Sequence, residues 1–135
     1  MKTFVEPNDV ETQVFDWGRI QWLSEPRVTG ALCIAAGVVT LDPGKGHQRH
    51  NHPGVEEVLY VLEGEGEQMV ELEAEERRPV RAGMMIHIPA DVYHSTTNTG
   101  PNTMRLLAVY SPPGPEALLR AMLDCRIEPP LSQHS

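Results

Sequence analysis

Basic residues are scarce in this chain. Lysine and arginine total 11 against 19 acidic residues, leaving a formal charge of −8. Phosphate recognition needs clustered cations, so this balance argues against a nucleic-acid partner. No GxxxxGK[ST] loop is present to cradle a nucleotide. Long apolar runs are missing too: no stretch reaches membrane length, and the opening "MKTFVEPNDV" has no apolar signal core. The expectation is a cytoplasmic protein with no membrane partner. Cysteine occurs only at Cys33 and Cys125. Without a secretory signal, one isolated pair predicts free buried thiols rather than a disulfide. Cys33 has no histidine near it in sequence and no nucleophile elbow is found, which argues against covalent catalysis. Internal repeats and low-complexity linkers are absent as well.

What is present points to a single β-domain. A length of 135 residues with 40% hydrophobic content suits one core. Twelve prolines and 11 glycines punctuate the chain at short intervals. Between them lie strand-length runs rich in Val, Ile and Leu: "CIAAGVVTL", "EEVLYVL", "EQMVELE", "MMIHIP" and "RLLAVY". That pattern predicts an all-β sandwich or barrel. Residues 1–27, with alternating "FDW" and "IQW", read as an arm or short strand, and 28–111 as the barrel core. Pro115, Glu116 and the spacing of Leu118, Leu119, Met122 and Leu123 predict a short C-terminal helix within 112–126. Residues 127–135 read as a flexible tail with a solvated His134. The glutamates at 63, 65, 67, 71, 73, 75 and 76 read as the wet face of a strand pair.

The chemistry concentrates in "GHQRHNHPGVEEVLYVLEGEGE", residues 46–67. On a strand, His50 and His52 would point to one face and could converge on one ion. Glu57 follows a Pro53-Gly54 turn, and a hairpin there would return it beside the histidines. His94 lies far along the chain, after Pro89, on a stretch that a closed barrel could turn toward the same cavity.

Residues 44–64 resemble the first signature of the cupin superfamily, G-x5-H-x-H-x3,4-E-x6-G, through Gly44, His50, His52, Glu57 and Gly64. Residues 83–98 resemble the second, G-x5-P-x-G-x2-H-x3-N, through Gly83, Pro89, His94 and Asn98. Asp91 stands where the pattern has glycine, and Asp tolerates a left-handed turn better than most residues. The resemblance implies a single double-stranded β-helix, the jelly-roll barrel of small RmlC-like cupins. It also implies that His50, His52, Glu57 and His94 ligate one divalent transition metal per chain. Three neutral imidazoles and one carboxylate suit Fe, Mn, Ni, Co or Zn and leave coordination positions open. The x6 spacing selects Glu57 of the "EE" doublet and turns Glu56 outward.

Strand alternation nominates pocket residues. In "EQMVELE" the even face, Gln68, Val70 and Leu72, is taken as inner. Gln68 then needs a partner, either backbone or a ligand. His47 reads as a solvated loop histidine or a proton carrier at the cavity mouth. Tyr110 reads as a core tyrosine or a hydroxyl near that mouth. His87 falls on the outer face. The activity expected is metal-dependent conversion of a small oxygenated molecule: a carbonyl, sugar-like or polyketide-like compound. An oxygen-using dioxygenase and a redox-neutral isomerase, lyase, decarboxylase or cyclase both fit. A non-catalytic sugar- or metabolite-binding module is the alternative. Apolar residues on both faces of "MMIHIP", together with a resemblance to a superfamily with many dimers, predict a homodimer.

Overall fold

The computed structural model describes residues 1–132; His134 lies outside them. Ten strands follow in chain order: β1 (Thr12–Phe15), β2 (Gly18–Ser24), β3 (Ala35–Leu41), β4 (Glu56–Glu63), β5 (Glu65–Glu71), β6 (Glu75–Arg81), β7 (Met85–Ile88), β8 (His94–Asn98), β9 (Met104–Ser111) and β10 (Arg126–Glu128). Two short helices, α1 (Pro26–Thr29) and α2 (Pro115–Arg120), interrupt them. A seven-stranded sheet runs β10-β1-β2-β3-β9-β4-β7 and a three-stranded sheet runs β6-β5-β8, with every pairing antiparallel. This is the all-β jelly roll with a short C-terminal helix that the signature resemblance implies.

The inner faces follow the two-residue period of the strands. Val39 and Leu41 of β3, Leu59 and Val61 of β4, and Leu106 and Ala108 of β9 are buried in one cluster with Ile20, Trp22 and Ile88. Trp22 satisfies its indole by donating to Gln13 Oε1 at 3.1 Å, and Gln13 donates in turn to the Glu116 carbonyl at 3.0 Å. Gly64, which closes the first signature, sits at φ +86°, where a Cβ would also lie 2.8 Å from the Thr103 carbonyl oxygen. Any other residue there would strain the turn from β4 to β5.

Several details depart from the sequence reading. β6 was not anticipated: "EERRPVR" is charged and contains Pro79, and it survives as an edge strand paired only to β5. Alternation on β5 ends at Val70, so Leu72 lies exposed in the following turn, while Met69 of the other face is buried. The helix expected within 112–126 is confined to Pro115–Arg120, leaving Leu118 and Leu123 exposed. Beyond it the supposed tail turns back, and Arg126–Glu128 pairs with β1. Both thiols are free, yet Cys33 is exposed and Cys125 half-buried, not buried as expected. Among the described residues no helix is long and apolar enough to cross a membrane.

Candidate metal centre

Two backbone contacts weld the remote signatures together. His50 N–H donates to the His94 carbonyl at 3.0 Å, and His94 N–H returns a bond to the His50 carbonyl at 2.8 Å. The segment ahead of His50 runs antiparallel to β8, with Gly46 opposite Thr97. The His50–His52 pair therefore sits on an extended loop tied to β8 by isolated bridges at Gly46 and His50, not on a ladder strand. The turn after it is closed by Val55 N–H to the His52 carbonyl at 3.1 Å, and β4 then delivers Glu57 inward. Glu57 is buried and faces Tyr110 of β9 in register, while Glu56 points out and meets His87 at 3.2 Å.

One ring nitrogen from each of His50, His52 and His94 falls within 4.8 Å of the others, so this group could bind a metal. Glu57 Oε1 lies 3.0 Å from His94 Nε2 and 3.6 Å from His52 Nε2. None of these three atoms has a hydrogen-bond partner, although all are buried. Buried polar atoms are normally satisfied, so an unpartnered convergence of lone pairs fits a cation at their centre. The opposite ring nitrogens are occupied: His50 Nδ1 contacts the Gln48 carbonyl at 2.7 Å and His94 Nδ1 the Val92 carbonyl at 3.0 Å. A carbonyl can only accept, so each Nδ1 carries the proton and each Nε2 offers its lone pair inward. Burial pushes His50 down to about 4 and His52 to about 3, with the neighbouring imidazoles adding to the shift. Both are neutral at pH 7, as ligation requires. His94 moves the other way: burial depresses it, but the Glu57 carboxylate and the Val92 carbonyl outweigh that and raise it.

The other nominated residues fall as follows. Gln68 is buried, but its amide is engaged: Oε1 accepts from the Thr96 hydroxyl at 2.6 Å and Nε2 donates to the Met69 carbonyl at 3.2 Å. Tyr110 is a buried core residue opposite Glu57 in register, and burial raises it well above its ordinary value. His47 is not a solvated loop side chain. It turns into the barrel and lines the cavity with Val39, Leu41, Leu59, Leu106, Thr96 and Tyr110, beside Glu57 and His94. That cavity has about 10 Å³ of free volume, room for about one water molecule. A larger hollow of about 240 Å³, around Arg81 and Pro101, lies at the other end of β8 and contains none of these imidazoles.

Three further residues take their roles in the site only from the fold. Thr96 shares the inner face of β8 with His94 and Asn98, and the period of two would have found it. Trp17 packs edge-on against His47 at 4.2 Å between ring centroids. Asp91, at φ +71°, accepts the Gly54 N–H at 2.8 Å through Oδ1, while Asn51 Nδ2 donates to its carbonyl at 3.0 Å. The residue that departs from the signature thus latches the two histidine loops together.

A jelly roll with an imidazole group at its mouth defines the class: a cupin barrel with a site that could hold a metal. A family model described as a cupin domain matches residues 37–110, and the chain belongs to that family. It is 32% identical over 115 residues to a protein named polyketide synthase CurC from Streptomyces cyaneus, covering 85% of this chain and 73% of that one. It is 36% identical over 98 residues to the protein SchB from Streptomyces halstedii, covering 73% of this chain and 69% of the relative. Among solved structures, oxalate decarboxylase of Lactobacillus farciminis in its formate complex matches with a TM-score of 0.72 and 27% identity, over 79% of this chain and 32% of that one.

Proposed function

We propose that this protein is a metal-dependent enzyme acting on an oxygenated, polyketide-like carbonyl compound, with His50, His52, Glu57 and His94 holding one divalent transition ion. The observation that carries the reading is the set of buried, unpartnered atoms, His52 Nε2, His94 Nε2 and Glu57 Oε1, converging beside His50. A bound ion would supply Lewis acidity, polarising a carbonyl and stabilising an enolate without a side-chain nucleophile. The chain contributes the rest. The Gln48 and Val92 carbonyls fix the proton on Nδ1 of His50 and His94. Tyr110 stands opposite Glu57 on the next strand. Val39, Leu41, Leu59 and Leu106 exclude bulk water behind the site, which strengthens every electrostatic contact in it.

The small interior volume bears on the substrate. With about 10 Å³ free, only the reacting oxygen end enters the barrel, and the remainder stays at the loops carrying His50 and His52. Two relatives above 30% identity support a polyketide-like substrate over a sugar, since one bears the name polyketide synthase.

The decisive experiment is elemental analysis of protein purified without added metal, followed by oxygen uptake with the iron-loaded form. A stoichiometric transition metal is expected. Iron with oxygen consumption on a dicarbonyl substrate selects a dioxygenase; zinc, nickel, cobalt or manganese without uptake selects redox-neutral chemistry. Metabolite binding without turnover would instead mark a binding module, and protein free of metal that takes none up would overturn the proposal.

A further inference from the structure

His47 faces the same cavity as Glu57 and His94, yet no polar interaction described so far uses it. Its position is built in. His47 N–H donates to the Thr96 carbonyl at 3.0 Å. The preceding Gly46 lies so close to β8 that a Cβ would stand 2.2 Å from that same carbonyl oxygen. The backbone is thereby pressed onto the sheet, and the imidazole is committed to the interior. Trp17 meets its ring at 4.2 Å with planes 79° apart, and Trp17 is itself stacked on Phe15 at 4.7 Å. A buttressed ring of this kind has little freedom to swing out.

The ring nitrogen has nothing to bind. His47 Nε2 is buried without a hydrogen-bond partner, a condition that is unfavourable unless a ligand relieves it. It does not belong to the three-histidine group, whose mutually close nitrogens are those of His50, His52 and His94. Of the other uncharged polar groups of the wall, Thr96 donates to Gln68 and Tyr110 stands opposite Glu57 in register. Apart from Glu57 and His94, the remaining lining is apolar.

We infer that His47 is a positioning residue whose Nε2 hydrogen-bonds an oxygen of a bound small carbonyl ligand, of the β-dicarbonyl class, at the inner end of the cavity. The assignment rests on the metal-centre reading above. It fits the available space, which takes about one oxygen-sized group. It also gives the buried His47 Nε2 the partner it otherwise lacks.

The test uses the full chain loaded with Co(II), whose visible spectrum reports both metal binding and ligand entry. Acetylacetone, the simplest β-dicarbonyl, is titrated into wild type, His47→Phe, His47→Leu and His47→Gln, with circular dichroism verifying the fold of each. Cobalt affinity should stay within about threefold across the set. Acetylacetone should bind about tenfold more weakly to the Phe and Leu variants, the loss of one hydrogen bond, and within about threefold of wild type to the Gln variant. Two apolar variants of different shape separate lost hydrogen bonding from a packing defect. Unchanged acetylacetone affinity in both would overturn the assignment. So would a parallel loss of cobalt, which would make His47 a ligand, or a wild-type cobalt complex that ignores acetylacetone. A wild-type chain that binds no cobalt overturns the metal reading itself, and is recognised before any ligand is added.

Discussion

A histidine is a ligand only while its inward nitrogen keeps a lone pair, and at the scale of single residues this chain arranges that in two ways. Backbone carbonyls take the far nitrogens of His50 and His94, and burial resists protonation of His47, His50 and His52. Replacing one ligand should therefore remove metal without removing the fold. His52→Ala is expected to lower metal affinity at least about tenfold, read by elemental analysis after dialysis, with circular dichroism unchanged. Full metal content in that variant would show the ligand assignment to be wrong. The same shifts have a consequence for the metal-free chain. Burial holds His50 near 4 and His47 and His52 near 3, against an ordinary value of 6.5. Between pH 6.5 and about 4 the unfolded chain takes up protons that the folded imidazoles refuse, so stability falls as pH falls through that window. His94, raised by Glu57 despite its burial, opposes the trend but is one group against three. The thermal midpoint of metal-stripped protein should drop from pH 7.5 to pH 5; a flat or rising midpoint would refute this account.

At the scale of elements, the site depends on how loops are tied rather than on strand geometry. The loop bearing His50 and His52 meets β8 through the reciprocal His50–His94 bridge and meets the turn before β8 through Asp91. Asp91 does two jobs: it tolerates φ +71° and its carboxylate accepts the Gly54 N–H. Asp91→Ala loses both and should destabilise the protein by about 1–2 kcal/mol, whereas Asp91→Asn keeps both and should stay near wild type in denaturant unfolding. Equal stability of the two variants would remove Asp91 from this role. The signature departure at Asp91 was visible in the sequence, and tolerance of a left-handed turn followed from its residue type. The carboxylate latch did not, because its partner, Gly54, is 37 positions away. A similar limit explains β6: charged residues and Pro79 give no strand signal alone, and only pairing to β5 supplies one. The C-terminal segment shows the converse. Apolar spacing suggested a longer helix, but Arg120 ties the end of α2 to Glu11 at 2.7 Å and Glu25 at 2.8 Å. The chain then leaves the helix and reaches β1.

At the scale of the whole molecule, the outer face of the seven-stranded sheet carries two apolar rows bordered by Gln21 and His87. Cross-strand register sets Met85, Tyr60, Leu107 and Val38 in one row and Val58, Val109 and Ala36 in the next. Met85 is 64% exposed. Contiguous apolar surface of this kind marks interaction sites, and a flat sheet face is self-complementary under two-fold symmetry. We propose a homodimer through this face. Light scattering should give twice the chain mass of 15.0 kDa, and Leu107→Glu should shift it to the monomer. A wild-type mass of one chain at all concentrations would refute the dimer.

By itself the sequence determined the class of fold and nominated the four candidate ligands. Alternating apolar runs between Pro and Gly turns allow few architectures, and two signatures with correct spacing place His50, His52, Glu57 and His94 in register. Only the tertiary structure decided which other side chains share their cavity. It turned His47 inward against Trp17, engaged Gln68 with Thr96, and set Tyr110 behind Glu57. The physical reason is that strand period tells which face a residue takes. Which loop presses on which strand, and which buried atom is left without a partner, depends on contacts between residues far apart in the chain.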